Sequence, residues 1–181
     1  MNNSYERMLE IIEELQSRSK IEDTLEIGCG DGTLVRLLRN RGLSSIGIDI
    51  DDCAFAQEGV EQGYLVKLVS HGINLYFGDK RFDLIFANRV LSRQSVSVMI
   101  ADRYFNGNLF AASREAISET AKWNTEKILE ASLRQLRDGG YFVGTIDSYE
   151  NLIVTSDMAE SLGYRIIRLQ LTEVVLQTPE H

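Results

Sequence analysis

Three glycines alternate with other residues in Glu26-Ile27-Gly28-Cys29-Gly30-Asp31-Gly32, at the end of the apolar run Thr24-Leu25-Glu26-Ile27 and just before Leu34, Val35, Leu37 and Leu38 at helical spacing. A glycine turn between strand and helix lets backbone approach a ligand closely and aims free N–H groups at the ligand's negative end. Two ligand classes use such a turn: dinucleotides and S-adenosylmethionine. The dinucleotide fingerprint G-x-G-x-x-G needs its third glycine for close packing of helix on strand. Here that register reads Gly28, Gly30 and Thr33, so the fingerprint fails. Glu26 stands in a strand that should be buried, where a carboxylate needs partners or costs stability, and a site role is the better reading. Asp49 ends a second apolar run 17 positions after Gly32. It reads either as a ligand-facing carboxylate or as the N-cap of the following helix, a role Asp51 or Asp52 could also fill.

These residues need a scaffold, and the pattern around them supplies one. Tyr5, Met8, Leu9, Ile12 and Leu15 predict an amphipathic helix over 4–18 that covers a sheet. Strands are expected at 24–27, 45–50, 64–69, 82–88 and 141–146, with helices after the glycine loop, over 54–62 and over 115–136. The run Phe82-Asp83-Leu84-Ile85-Phe86-Ala87-Asn88 is apolar throughout, as a central parallel strand covered on both faces should be. Asp138-Gly139-Gly140 should break the long helix before the fifth strand. After a helix over 156–162, the runs 164–169 and 173–177 are too closely spaced for a parallel crossover and should pair antiparallel. With 181 residues, 44% of them hydrophobic, the chain reads as one domain over 1–181 with one substantial core.

In its Glu26-x-Gly28-x-Gly30-x-Gly32 loop the chain resembles the class I S-adenosylmethionine-dependent methyltransferases, whose first motif has that form. Further landmarks extend the resemblance over about Thr24 to Gln177. Asp49 would take the ribose hydroxyls and Ile50 would pack on the adenine. Leu75-Tyr76-Phe77-Gly78-Asp79-Lys80-Arg81-Phe82-Asp83-Leu84-Ile85 looks like the family's approach to its fourth strand, Asp138-Gly139-Gly140-Tyr141 like the turn before its fifth, and the final hairpin like its reversed seventh strand. The resemblance implies a Rossmann-like α/β/α three-layer sandwich with a seven-stranded, mostly parallel sheet ordered 3-2-1-4-5-7-6 and an antiparallel last strand. It implies S-adenosylmethionine as cofactor, held by Glu26, Gly28, Cys29, Gly30, Asp31, Gly32, Asp49, Ile50, His71 and Asn88. His71 departs from the family pattern, which usually has an aspartate there; a neutral imidazole could still accept a hydrogen bond from the adenine.

Ligands of open parallel sheets bind outside the C-terminal strand ends, so the acceptor should meet Asn88 and the segment after it. Residues 89–118 exceed a simple crossover and read as a lid-like insertion. Its arginines, with Arg89, Arg93 and Arg103 beside Tyr104 as candidate acceptor contacts, suit a carboxylate or phosphate on a small molecule, or else form a solvated helical face. Methyl transfer asks the protein mainly to align a nucleophile and exclude water, so no catalytic residue is singled out. Asn88-Arg89-Val90-Leu91 lacks the Asn/Asp-Pro-Pro-aromatic pattern of many amino-group methyltransferases, and no Pro-Cys pair marks a cytosine-C5 enzyme. Trp123 reads as helix packing. Cys29 and Cys53 lack the number and spacing of a zinc site or disulfide framework, and should pack beside the cofactor without reacting. No metal is expected. A net charge of −8 argues against nucleic-acid partners, and no apolar run is long enough to cross a bilayer. A cytoplasmic enzyme acting on a small molecule is expected, alone, with a protein partner or as a homodimer. The alternatives are a cofactor-binding partner subunit without turnover and an NAD-dependent oxidoreductase.

Overall fold

The computed structural model describes residues 3–49, 57–67, 77, 81–88, 90–91, 114–146, 153–170 and 172–180. Alternating strand and helix build a seven-stranded sheet. β1 (Asp23–Ile27), β2 (Ser44–Asp49), β3 (Leu65–Lys67), β4 (Phe82–Asn88), β5 (Leu136–Thr145), β6 (Arg165–Leu169) and β7 (Glu173–Gln177) lie in the order β3-β2-β1-β4-β5-β7-β6. All pairs are parallel except β5 with β7 and β6 with β7. The expected order and the reversed final strand are both present. The short β6–β7 connection leaves antiparallel pairing as the only geometry available.

Helices α1 (Asn3–Gln16), α2 (Thr33–Asn40), α3 (Gln57–Glu61), α4 (Arg114–Gln135) and α5 (Ser156–Ser161) join these strands. On α1, Met8, Leu9, Ile11, Ile12 and Leu15 are buried against Leu84, Phe86, Tyr141, Val143 and Val175 of the sheet and Leu34 and Leu38 of α2. Each such side chain contributes roughly 2 kcal/mol when fully buried, so α1 is held by packing. The opposite face of the sheet presents Leu25, Ile27, Ile48, Ile85, Ala87, Phe142, Val174 and Leu176 to Leu129 of α4 and Met158 and Ala159 of α5. The alternation of Leu84, Ile85, Phe86 and Ala87 of β4 between these two clusters is the period-two pattern of a strand buried on both sides.

Two expectations change. The fifth strand begins at Leu136, directly after α4, and runs through Asp138-Gly139-Gly140. The ladder to β4 shifts register between Phe82 and Leu84, and Gly139 takes a φ of 72°, so the glycines make an irregularity inside the strand in place of a break before it. Trp123 is 48% exposed. The sheet-facing stripe of α4 runs through Ala121, Thr125, Leu129 and Ser132; two residues past Ala121 is about 200° around a helix, on the outer side. No helix among the described residues is long and apolar enough to cross a membrane.

An ionic network ties α1 to the last two strands. Glu173, whose side chain is 4% exposed, accepts from Arg7 Nε at 2.8 Å through Oε2 and pairs with Arg168 through Oε1. Arg168 also donates to both oxygens of Glu14, at 2.9 and 2.7 Å. That contact holds the Glu14 carboxyl below its ordinary range. At the other end of the sheet Arg137 bridges Asp23 and Asp83, and Asp83 Oδ2 accepts from the backbone N–H groups of Glu22 and Asp23, both at 2.8 Å. Replacing Glu173 by Ala should cost about 2 kcal/mol. That is less than a fully buried pair would lose, because both arginines reach solvent. The check is a lower urea midpoint with an unchanged denaturant slope.

Candidate cofactor site

The glycine loop lies where β1 ends, beside the end of β2. Gly28 and Cys29 donate to Ile48 O at 2.8 and 3.1 Å, and Gly32 donates to Cys29 O at 2.9 Å, closing the turn. Gly28, Gly30 and Gly32 have φ of 73°, 53° and 74°, values that favour glycine. At Gly28 there is a second reason: an added Cβ would collide with Val90 Cγ2. Around Gly30 an added Cβ would meet no described residue within 4 Å, so the middle of the loop is open among the described residues. Asp31 bonds Thr33 twice, accepting from its N–H at 2.9 Å and its hydroxyl at 2.7 Å, and so starts α2.

Three carboxyl groups converge here. Asp49 Oδ2 accepts from Gly30 N at 2.8 Å, so the residue at the end of β2 also holds the loop. Glu26 is 2% exposed, and its Oε2 has no hydrogen-bond partner among the described residues. Burial pushes its carboxyl well above the ordinary value of 4.5; the charges of Asp31 and Asp49 push it further, and the Val35 backbone hydrogen bond opposes them. Cys29 is buried with Val35, Tyr64 and Leu65. Desolvation first, then the charge of Glu26, pushes its thiol up, which makes it a packing residue and a poor nucleophile.

Asn88 ends β4 beside this site, 7% exposed. Ile50, His71, Arg89, Arg93, Arg103 and Tyr104 lie outside the described residues, as do Cys53 and most of the expected lid. Of that segment, Val90 lies over Gly28, Leu91 is fully buried in the core, and 114–118 begin α4.

The structure adds two residues to the loop's support that sequence reasoning missed. Val90 is one. The other is Gly47, opposite Glu26 in the β1–β2 ladder, where a Cβ would lie 2.8 Å from Cys29 Sγ and from Val35 Cγ2. A lone glycine inside an apolar strand is itself a signal of close approach, and that signal was available at Gly47.

Residues 25–99 match a family model described as a methyltransferase domain. The 3-2-1-4-5-7-6 sheet and its reversed last strand agree with that match at the level of fold. The chain's fold is similar to that of the N-methyltransferase NodS from Bradyrhizobium japonicum, at 14% identity, with 99% of each chain covered and a TM-score of 0.60. A S-adenosylmethionine-dependent methyltransferase from Clostridium acetobutylicum matches at 12% identity over 100% of this chain and 93% of that one, with a TM-score of 0.61. The CcbJ methyltransferase from Streptomyces caelestis matches at 11% identity over 100% and 91%, with a TM-score of 0.64. At such identities these likenesses speak to the methyltransferase fold alone. No curated protein sequence matches the chain.

Glu26 has a stability cost that can be measured. Its folded value is raised, so the stability its protonated form contributes is complete below about pH 4.5. That stability is lost as pH rises toward the folded value, because the unfolded chain ionises first. Glu26→Gln should therefore melt higher than the wild type at pH 8, with the gap shrinking toward pH 4.5. At roughly 2–4 °C per kcal/mol for a chain of this size, calorimetric melting across that range resolves it.

Proposed function

We propose that the chain binds S-adenosylmethionine through Glu26, Gly28, Cys29, Gly30, Asp31, Gly32, Asp49, Ile50, His71 and Asn88, and transfers its methyl group to a small acceptor carrying an anionic group. The observation that carries this reading is the unpartnered, buried oxygen of Glu26 beneath an open glycine loop. A buried carboxyl oxygen without a partner is costly, and an ammonium group would satisfy it. Electrostatics favours the same ligand. Glu26, Asp31 and Asp49 surround the loop, which would repel a pyrophosphate but suits a cofactor carrying a sulfonium and an ammonium. Asp49, already bonded to Gly30 N, is a carboxylate acceptor of the kind that takes ribose hydroxyls.

When bound, the cofactor supplies a methyl group already made electrophilic by its sulfonium. The chain's own residues then have to orient the acceptor and keep water out. Support for a small anionic acceptor comes from sequence: four arginines, Arg89, Arg93, Arg103 and Arg114, fall within 89–118 of a chain with net charge −8. The domain would then be a single unit over 1–181, with 89–118 as the acceptor-facing segment.

Calorimetric titration with S-adenosylmethionine, S-adenosylhomocysteine and NAD, each separately, tests the cofactor. The first two should bind and NAD should not; the reverse pattern would identify a nicotinamide enzyme. Asp49→Ala should weaken S-adenosylhomocysteine roughly 10- to 100-fold, since hydrogen bonds to a charged acceptor contribute about 1.5–3 kcal/mol each. Unchanged affinity would remove the ribose assignment. Binding without methylation of any anionic metabolite offered would favour a partner subunit lacking turnover.

A further inference from the structure

One buried polar contact at the C-terminal edge of the sheet is left over by the carboxylates of the loop. Asn88 and Thr145 are register partners at the ends of β4 and β5, 7% and 3% exposed. Thr145 Oγ1 donates to Asn88 Oδ1 at 2.9 Å. A carboxamide can offer either its oxygen or its NH2 group to a ligand, and this bond decides between them. With the oxygen engaged, the NH2 is the group presented, and it donates to no described residue.

The neighbouring strand explains why the threonine proton goes to Asn88. On its other side Thr145 faces Glu173, its register partner on β7. Both oxygens of that carboxylate are occupied, one by Arg7 and the other by Arg168. The ionic network that docks α1 thus already engages both oxygens of the competing acceptor.

Register also fixes what the Asn88 donor stands beside. Glu26 lies opposite Phe86 in the β1–β4 ladder. Asn88, two residues on, therefore has its side chain on the same face of the sheet, one step nearer the ligand end. Glu26 on β1, with its unpartnered carboxyl oxygen, and Asn88 on β4, with its amide donor, thus stand as diagonal neighbours on one face of the sheet. The two together match the ammonium and the carboxylate of one α-amino acid group.

We propose that Thr145 is a positioning residue that locks the Asn88 amide as a donor for the carboxylate of the cofactor's amino-acid end, whose ammonium lies at Glu26. This rests on the cofactor reading above. The hydroxyl touches no ligand itself; it acts through Asn88.

The test compares S-adenosylhomocysteine with 5′-methylthioadenosine, which keeps the nucleoside and lacks the amino-acid end. Titrations use wild type, Thr145→Val, which preserves shape without the hydroxyl, and Thr145→Ser, which restores it. Thr145→Val should weaken S-adenosylhomocysteine about tenfold and leave 5′-methylthioadenosine within about twofold, and Thr145→Ser should return to wild-type affinity. Asn88→Asp, which sets a carboxylate against a carboxylate, should weaken S-adenosylhomocysteine at least as much, and it keeps the test open should the valine variant not fold. Unchanged S-adenosylhomocysteine affinity in Thr145→Val overturns the inference, as does an equal loss of both ligands that serine does not restore. Equal wild-type affinity for the two ligands overturns it while leaving the nucleoside contacts standing. A wild-type protein that binds neither overturns the cofactor reading and this inference with it.

Discussion

A carboxyl group held in an apolar interior is the constraint around which the site is organised. Glu26 sits on β1 between Gly47 of β2 and Phe86 of β4, with Val35 of α2 above it. Burying it costs free energy that the packing around it must offset. That packing is correspondingly close: Gly47 has no side chain because Cys29 and Val35 fill the space, and Gly28 has none because Val90 does. The loop cannot relax over Glu26 without displacing core side chains. Stored instability of this kind belongs to sites where a ligand later supplies the missing partner.

The parallel arrangement converts that local constraint into a site. Because β1, β2, β4 and β5 run the same way, the loop, Asp49, Asn88 and Thr145 all emerge at one end of the sheet. The reversed β7 returns Glu173 to the same end, where it meets Arg7 from the first helix and Arg168 from β6. The N-terminal helix is therefore joined by one ionic network to the strand that borders the site. Its apolar stripe and its charged face perform separate tasks: one completes the core, the other neutralises a carboxylate beside Thr145.

Charge also separates ligand classes. A glycine turn before a helix is suited to phosphate when cations or backbone N–H groups dominate its surroundings. Here Glu26, Asp31 and Asp49 dominate, and Glu26 and Asp31 form no ion pair among the described residues. On the proposed reading, the same backbone device is turned toward a cationic, hydroxyl-bearing ligand. The sequence already carried half of this argument, in Thr33 where a dinucleotide site needs glycine; the structure adds that Thr33 instead bonds Asp31 and starts the helix.

Most of the architecture was legible in the chain because it follows from local rules. Period-two and period-3.6 patterns marked the strands and helices, the glycine run marked the loop, and the short spacing before Glu173 marked the reversed strand. The errors came where local rules have competitors: Asp138-Gly139-Gly140 has no register partner on β4 but is held in β5 by backbone bonds to Pro179 and Thr178, and Trp123 is turned outward by the phase of its helix. What the sequence by itself determined was the order of the elements and the place of the glycine loop, since both depend on neighbours a few residues away. Only the tertiary structure decided that Glu26 is left without a full set of partners, that Gly47 and Val90 shape the loop, and that Thr145 reaches Asn88 across 57 positions of chain. Those contacts are made between strands, and their register is set by the packing of the whole sheet.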